Sequence, residues 1–274
     1  MTDHPSGGPL AAADVAGVLS STDSERISLA LHGRMRPDGA ALIALEGALA
    51  GARRLEDRTS AAAVLPAVAG QRDVLERLAG AARGVRSAAV GLVSEIYQYL
   101  GWLHLPQDDF AGALHHLKRA ALLALEADDP VRLATALSFR AYAHQRSGDS
   151  RQAATLATAA ARNERIYPGL RTYLHFQRAE ILACQGERRQ ASQLLVQADR
   201  LVARLPQADE LPESGYWYVP AFFLGERAFV LDALGETAAA HESATACLSE
   251  LPTEWRDTEW ASERRALAEK GPQR

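Results

Sequence analysis

The chain has 274 residues, of which 47% are hydrophobic and 6% aromatic, and its formal net charge is −4. This content is enough for a sizeable core, in one elongated or two compact units. The slightly acidic balance gives no general attraction to nucleic acid or to an anionic membrane. No window is apolar for long enough to span a bilayer, and the first residues lack the basic start and apolar core of a secretory signal. We therefore expect a cytoplasmic protein that has no membrane partner and does not itself bind nucleic acid.

Its two cysteines, Cys184 and Cys247, are expected to be reduced core residues.

The first part of the chain predicts a flexible arm followed by an irregular helix pair. Residues 1–35 form the arm, with short helices expected at Ala11–Leu19 and Ser24–Leu31. A strong helix is predicted over Asp38–Arg54, where leucines recur on one face. Thr59-Ser60 is expected to cap a long second helix, unless Pro66 marks its first turn. This pair opens a helical domain over residues 36–270.

A repeated spacing of small residues predicts the rest of the fold. Small residues let two antiparallel helices approach closely where they cross. Four pairs are separated by twelve positions, namely Gly101 and Ala113, Ala141 and Ala153, Ala179 and Ala191, and Ala228 and Ala240. Seven residues after the first member of each pair stand the turn residues Asp108, Gly148, Gly186 and Gly235, and glycine there supplies the left-handed conformation that ends a helix. The pattern predicts helix pairs at 87–127, 131–167, 170–205 and 220–251, followed by a capping helix at 253–270.

The first regular pair also carries a known motif. Tyr97, Leu100, Gly101 and His104 follow the tetratricopeptide spacing aromatic-x2-Leu-Gly-x2-Tyr. We therefore predict an all-α fold, a tetratricopeptide-like solenoid of antiparallel helix pairs. The last two turns are 49 residues apart, because the segment Pro206–Val219 is inserted between them. Its cluster Tyr216-Trp217-Tyr218 suggests a lid over a groove, or else rings that pack against the last pair or a second subunit.

In such a solenoid the first helix of each pair lines the concave face, and here that face is rich in aromatic and polar side chains. A mostly apolar cleft with a few placed polar groups is typical of small-molecule sites. The predicted ligand-binding residues on the first helices are Gln98, Tyr99, Trp102, Phe139, Tyr142, Tyr173, Phe176, Gln177, Glu180, Phe222, Glu226 and Phe229. Trp217 of the insertion is expected over the groove. The alternative is that the rings fill the core between neighbouring pairs.

Three arginines, Arg140, Arg178 and Arg227, directly precede a small residue of the repeat. Arginine is rarely buried without a partner. These three are therefore expected either to pair with acids on neighbouring helices, such as Glu180 or Glu226, or to anchor a ligand carboxylate or phosphate.

The titratable side chains predict neither a metal site nor a cofactor. His104 and His144 hold equivalent places that adjacent helices would bring together, but no His-x3-His pair or carboxylate completes a metal set. Glu180 and Glu226 are the two acids placed for acid–base chemistry if the groove is catalytic.

Several stretches resemble a known family. They are Arg53–Arg58, Val64–Pro66, Leu75–Leu78 and Ser94–His104, with a core of Glu95, Gln98, Gly101, Trp102 and Leu103. They resemble the C-terminal tetratricopeptide-like region of actinobacterial helix-turn-helix regulators of the xenobiotic-response-element type. In that family a DNA-binding domain precedes a region thought to sense a ligand or partner. About 35 residues precede the first strong helix here and hold no basic helix pair. The chain thus resembles the sensor half alone, either as a fragment or as a stand-alone descendant.

Three functional hypotheses follow. The first is a sensor that binds a small hydrophobic metabolite or a short peptide in the aromatic groove, and that reports binding through solenoid curvature or the packing of a homodimer. The second is an enzyme that acts on a natural-product substrate with Glu180 or Glu226 as acid or base. The third is an adaptor for partner peptides. Function depends on the site rather than on the scaffold.

Overall fold

The computed structural model of the protein describes residues 19–205 and 211–270. Within these ranges the chain is all-helical, with thirteen α-helices packed in neighbouring pairs and no strand. Residues 11–18 of the first predicted helix and Pro206–Glu210 of the insertion lie outside the described residues. None of the described helices combines the length and the apolar character needed to cross a membrane.

The chain begins with three helices, α1 (Ser21–Leu31), α2 (Gly39–Glu56) and α3 (Ala61–Ala81). Each is preceded by a capping residue, Ser20, Asp38 or Ser60, whose side chain accepts a hydrogen bond from a backbone amide in the first turn. The start of α3 is therefore set by Ser60, as the Thr59-Ser60 pair predicts, and Pro66 lies inside the helix.

Four helix–turn–helix pairs follow at nearly the predicted places. They are α4 (Arg86–His104) with α5 (Phe110–Glu126), α6 (Pro130–Arg146) with α7 (Ser150–Ala160), α8 (Pro168–Cys184) with α9 (Arg188–Val202), and α10 (Pro220–Ala233) with α11 (Thr237–Glu250). The turn residues Asp108, Gly148, Gly186 and Gly235 all have positive φ, between 55° and 87°. The predicted left-handed turns are confirmed.

The small residues lie where the paired helices cross. All seven alanines of the twelve-residue pairs are at most 1% exposed. A Cβ atom built on Gly101 would lie 2.5 Å from Cγ of Leu117, so no larger side chain fits there without movement. Cys247 is fully buried as predicted, whereas Cys184 is exposed. The expectation for Cys184 was wrong because it is the last residue of α8, directly before the turn.

The first helices contact one another along the chain. Contacts link α2 to α4, α4 to α6, α6 to α8, and α8 to α10. These five helices, α2, α4, α6, α8 and α10, therefore form one continuous layer, which we call the inner layer.

The predicted capping helix at 253–270 is broken into short pieces. They are α12 (Thr253–Arg256), a 3-10 turn (Glu259–Ala261) and α13 (Ser262–Glu269), and α13 packs against α11 and α10. Trp255 packs on the last pair. Arg264 of α13 is buried, at 5% exposure. The break lets the chain turn back over the inner layer, and this places Arg264 against α10.

Candidate functional site

A large pocket lies between the inner layer, α13 and the turn that precedes α10. The empty space between its walls is about 1100 Å³, including space that opens to solvent. Eleven of its 21 lining residues are aromatic, and eight are Asp, Glu or Arg. Every helix of the inner layer contributes to the lining.

Most of the predicted ligand-binding residues line this pocket. Those that do are Gln98, Tyr99, Trp102, Phe139, Tyr142, Tyr173, Glu180, Trp217, Phe222, Glu226 and Phe229. All except Trp217 lie on first helices. They meet because the first helices share one layer and present equivalent positions to one side.

Two predicted residues hold helices together instead. Phe176 is 1% exposed and stacks on Phe223, with ring centroids 5.8 Å apart. Gln177 Nε2 donates to the backbone oxygen of Ser138 at 2.9 Å, and Ser138 Oγ donates to Gln177 Oε1 at 3.1 Å. Phe176 thus fills the core between α8 and α10, and Gln177 ties α8 to α6, so neither lines the pocket.

The three repeated arginines also lie outside the pocket lining. Arg227 Nε is 3.4 Å from Asp199 Oδ2, which is a loose ion pair. Arg140 Nε is buried without a hydrogen-bond partner among the described residues, and burial lowers the pKa of its guanidinium. In the described part of the chain, Arg178 forms no ion pair, and neither Glu180 nor Glu226 pairs with any of the three. The expected pairing with an acid on a neighbouring helix therefore holds for Arg227, through Asp199. Glu226, one of the two acids named as examples, is bound to Arg264 instead.

Glu56, at the C-terminal end of α2, orients two rings of the pocket. Its carboxylate accepts hydrogen bonds from Tyr99 Oη at 2.8 Å and from Trp102 Nε1 at 2.7 Å. Burial raises the pKa of Glu56 to about 7, although these two hydrogen bonds oppose the shift. The rings of Tyr99 and Trp102 are therefore held by polar contacts as well as by packing.

A buried ion network lies behind the same wall. Glu95 on α4 accepts from Arg53 Nη1 on α2 at 3.0 Å and from Arg132 Nη2 on α6 at 2.8 Å. Burial alone would raise the pKa of Glu95, but the two guanidinium groups outweigh burial and hold the pKa below its ordinary value. The network joins α2, α4 and α6. It also brings Arg53–Arg58 against Ser94–His104, two stretches that carry the family resemblance.

Two segments distant in sequence meet the end of α2 and close the pocket. Tyr216 Oη and Trp260 Nε1 both donate to the carboxylate of Asp57, the latter at 3.2 Å. Glu259 Oε2 accepts from the backbone amide of Ala61, in the first turn of α3, at 2.9 Å. We call Tyr216, Glu259 and Trp260 the clasp. The clasp joins residues up to 203 positions apart and so connects the inner layer to the C-terminal segment.

At the other side of the pocket, Glu226 and Arg264 are buried and Glu180 is partly buried. Burial, and then the neighbouring Glu226 and Glu263, raise the pKa of Glu180 to about 8. Burial raises the pKa of Glu226 to about 6, and its partner Arg264 opposes the shift. The Arg264 guanidinium lies 4.9–5.1 Å from the ring centroids of Phe222, Phe229 and Trp260.

The insertion contributes to both the pocket and the core. Trp217 lines the pocket, and its ring neighbours are Tyr216 and Tyr218, at 5.3 and 5.2 Å. Trp102, Tyr142 and Phe229 line the same pocket. Tyr218 is 1% exposed and stacks on Phe223. The described part of the insertion is therefore anchored in the core by Tyr218 and contributes Trp217 to the pocket wall.

His104 and His144 each pair with an acid rather than with each other. His104 Nδ1 is 2.8 Å from Asp109 Oδ2, and His144 Nδ1 is 3.5 Å from Asp149 Oδ2. Each partner aspartate is the capping residue of the following helix. Within the described residues, no three side chains of His, Cys, Asp or Glu are grouped so that they could hold a metal ion.

Ten residues that line the pocket were not predicted from the sequence. Arg53, Glu56 and Asp57 lie in the stretch Arg53–Arg58, which resembles the regulator family. That resemblance could have indicated them as site residues. Tyr216 and Tyr218 flank Trp217, and Gln145 and Arg146 follow Tyr142 by about one turn. Trp260, Glu263 and Arg264 lie in the C-terminal segment, whose path over the inner layer has no local sequence signal.

No protein-family model matches the chain, and a search of curated proteins gives no match either. The fold and site define the class of protein: an all-helical chain whose helix pairs surround an aromatic pocket that carries buried charges.

Proposed function

We propose that the helix pairs form a tetratricopeptide-like solenoid whose inner pocket binds a small organic molecule. The observation that carries this proposal is the pocket itself, which eleven aromatic residues line together with a few buried polar groups. Small-molecule sites are commonly concave and largely apolar, with a few placed polar groups. The left-handed turns and buried small residues at equivalent places support the solenoid.

The ligand is a metabolite-sized molecule rather than a peptide. The C-terminal segment crosses the inner layer, where Arg146 pairs with Glu263 at 2.5 Å and Arg264 pairs with Glu226. The clasp joins the same segment to the end of α2. These contacts occupy the path that an extended peptide would need along the inner layer.

Binding is reported through the clasp. Glu56 and Asp57 are adjacent, and one holds rings of the pocket while the other holds Tyr216 and Trp260. A ligand that moves Tyr99 or Trp102 therefore changes the contacts that keep the C-terminal segment closed. This coupling suits a sensor domain, and the resemblance to regulator sensor regions supports that role.

Native mass spectrometry of protein purified from an actinobacterial host tests the proposal. We expect a bound molecule of metabolite size, and loss of most of it in the Trp102→Ala variant. Leu125→Ala is the matched control, because Leu125 is 60% exposed and outside the pocket lining. The proposal is wrong if the wild-type protein carries no ligand and an aromatic compound library yields no binder that Trp102→Ala weakens.

A second candidate function, an enzyme, has one observation in its favour. Glu180 is protonated at neutral pH because its pKa is raised to about 8, as suits a general acid. Glu226, the other predicted acid, is bound to Arg264. Turnover of a bound natural product that Glu180→Gln abolishes, while binding persists, would favour the enzyme. Release of the ligand unchanged would favour the sensor.

A further inference from the structure

The charges in the pocket lining discriminate between classes of ligand. Three arginines line the pocket, and each already has a carboxylate partner. Arg53 is bound to Glu95, Arg146 to Glu263, and Arg264 to Glu226. Among the described lining residues no cationic side chain is therefore left free to bind an anionic ligand.

Not every hydrogen-bond acceptor in the pocket lining has a donor among the described residues. Glu56 and Asp57 each accept hydrogen bonds from two aromatic side chains. Glu180 receives none from the described residues and has no ion-pair partner there. Gln145 Oε1 is also buried without a hydrogen-bond partner among the described residues. One carboxylate and one amide oxygen on α6 and α8 thus remain for a ligand that donates hydrogen bonds or carries positive charge.

Aromatic rings surround these free acceptors. Tyr142 and Tyr173 lie on the same two helices and line the same pocket. Burial and nearby carboxylates, with Glu180 among them, raise the pKa of Tyr142 to about 12. Its phenol group therefore stays un-ionised at neutral pH. Ring faces attract cations, and the attraction is strongest where water is excluded.

We infer that the ligand is a hydrophobic organic cation, an amine on an apolar body. Its ammonium group binds Glu180 and Gln145 beside Tyr142 and Tyr173, and its apolar body lies among Trp102, Phe139 and Phe229. This inference rests on the proposed function of the pocket and specifies its ligand. It extends the sequence-based hypothesis, which specified only a hydrophobic metabolite or peptide.

Binding of the cation displaces the proton from the carboxyl group of Glu180. In the free protein, burial and the carboxylates of Glu226 and Glu263 raise the pKa of Glu180, while Arg264 and Arg146 oppose the shift. Tyr142, Tyr173 and Cys184 face it as neutral groups. A bound ammonium stabilises the ionised carboxylate, so binding releases one proton. The affinity for a permanently charged cation should rise up to tenfold per pH unit between pH 6 and 8, and then level off.

Three naphthyl probes test the inference on the full chain. They are trimethyl(2-naphthylmethyl)ammonium, its neutral analogue in which a tert-butyl group replaces the trimethylammonium, and the anion 2-naphthylacetate. Binding is measured by tryptophan fluorescence and calorimetry at pH 8. We expect the cation to bind about tenfold or more tightly than the neutral analogue, and the anion to bind most weakly.

Glu180→Gln keeps the shape of the side chain but removes its charge. We expect this variant to lower the affinity for the cation about tenfold, to leave the neutral analogue unchanged, and to remove the pH dependence. Glu242→Gln, at an exposed position on α11, is the control and should change none of these values. Circular dichroism and melting temperature verify that both variants are folded.

The outcomes separate this inference from the proposed function. If the cation and the neutral analogue bind equally, and Glu180→Gln changes neither, the pocket binds ligands but the cation inference is wrong. Tighter binding of the anion would overturn the inference in the same way. If none of the three probes binds, the cation inference is wrong, and the native mass spectrometry and the compound library decide the proposed pocket function separately.

Discussion

At the scale of single residues, buried carboxylates determine how this protein responds to pH. Glu180 lacks a hydrogen-bond donor among the described residues, so burial and like charges alone raise its pKa to about 8. Glu95 is also buried, yet two arginines keep its pKa low. The pKa values of these two acids on inner-layer helices therefore differ because only Glu95 has arginine partners.

Glu180 should make the protein less stable as pH rises. Its pKa is near 4.5 when unfolded and about 8 when folded. Between these values the folded state holds a proton that the unfolded state has lost, so the free energy of unfolding falls with increasing pH. Glu180→Gln should flatten this fall between pH 6 and 8, as measured by urea denaturation at several pH values. The exposed control Glu242→Gln should keep the wild-type slope. Parallel curves for all three proteins would contradict the prediction.

The ion network around Glu95 should be costly to break. Glu95→Gln leaves Arg53 and Arg132 without their shared carboxylate, and removing one partner of a buried pair costs about 3–5 kcal/mol. Glu126→Gln breaks the exposed pair with Arg86 and should cost less than about 1 kcal/mol. Denaturation midpoints of the two variants give the comparison. Equal midpoints would mean that the buried network contributes no more than a surface pair.

At the scale of helices, the small residues at the crossings determine how closely paired helices pack. Ala141 and Ala179 are fully buried. Replacing either by leucine should overpack its crossing and cost about 1–3 kcal/mol. The matched control is Ala238→Leu on α11, at an exposed position, where the change should be within about 0.5 kcal/mol. Thermal denaturation measures all three. Wild-type stability in both buried variants would show that the crossings tolerate larger residues.

Trp217 and Tyr218, neighbours in the aromatic cluster of the insertion, have different roles. Trp217→Ala removes a wall of the pocket, so we expect faster ligand release, a smaller change in the binding rate and nearly unchanged stability. Tyr218→Ala empties a core position that is 1% exposed, so we expect a loss of about 3–5 kcal/mol. Stopped-flow fluorescence with the naphthyl cation and urea denaturation separate the two effects. A Trp217→Ala variant that unfolds, or that releases ligand at the wild-type rate, would assign the residue to packing alone.

At the scale of the whole molecule, charge should prevent this chain from binding DNA by itself. The formal net charge is −4, and non-specific DNA binding depends on clustered Lys and Arg that neutralise phosphates. We expect no retention of duplex DNA at micromolar protein and low salt in gel-shift or anisotropy titrations. Retention that depends on DNA sequence would show that the first 35 residues contain a DNA-binding element.

The local parts of the fold were predictable because they depend on residues near in sequence. Ser60 begins α3 through its side-chain cap, and Gly148, Gly186 and Gly235 end helices because they adopt positive φ. The twelve-residue spacing of alanines marks the crossings because the two helices of a pair are joined by a turn of a few residues. Eleven of the sixteen predicted site residues line the pocket for the same reason, since the register along each first helix determines which side chains face inward.

The tertiary structure alone determined how the pocket closes and which charges are paired. Nothing near Asp57 in sequence indicates Tyr216 or Trp260 as partners, and the break before α13 places Arg264, rather than Arg140, Arg178 or Arg227, beside Glu226. These contacts form between segments far apart in sequence, so they depend on how the successive helices pack and not on any local pattern. The pKa of Glu180 has the same origin, because desolvation and neighbouring charge exist only once the inner layer and the C-terminal segment have come together.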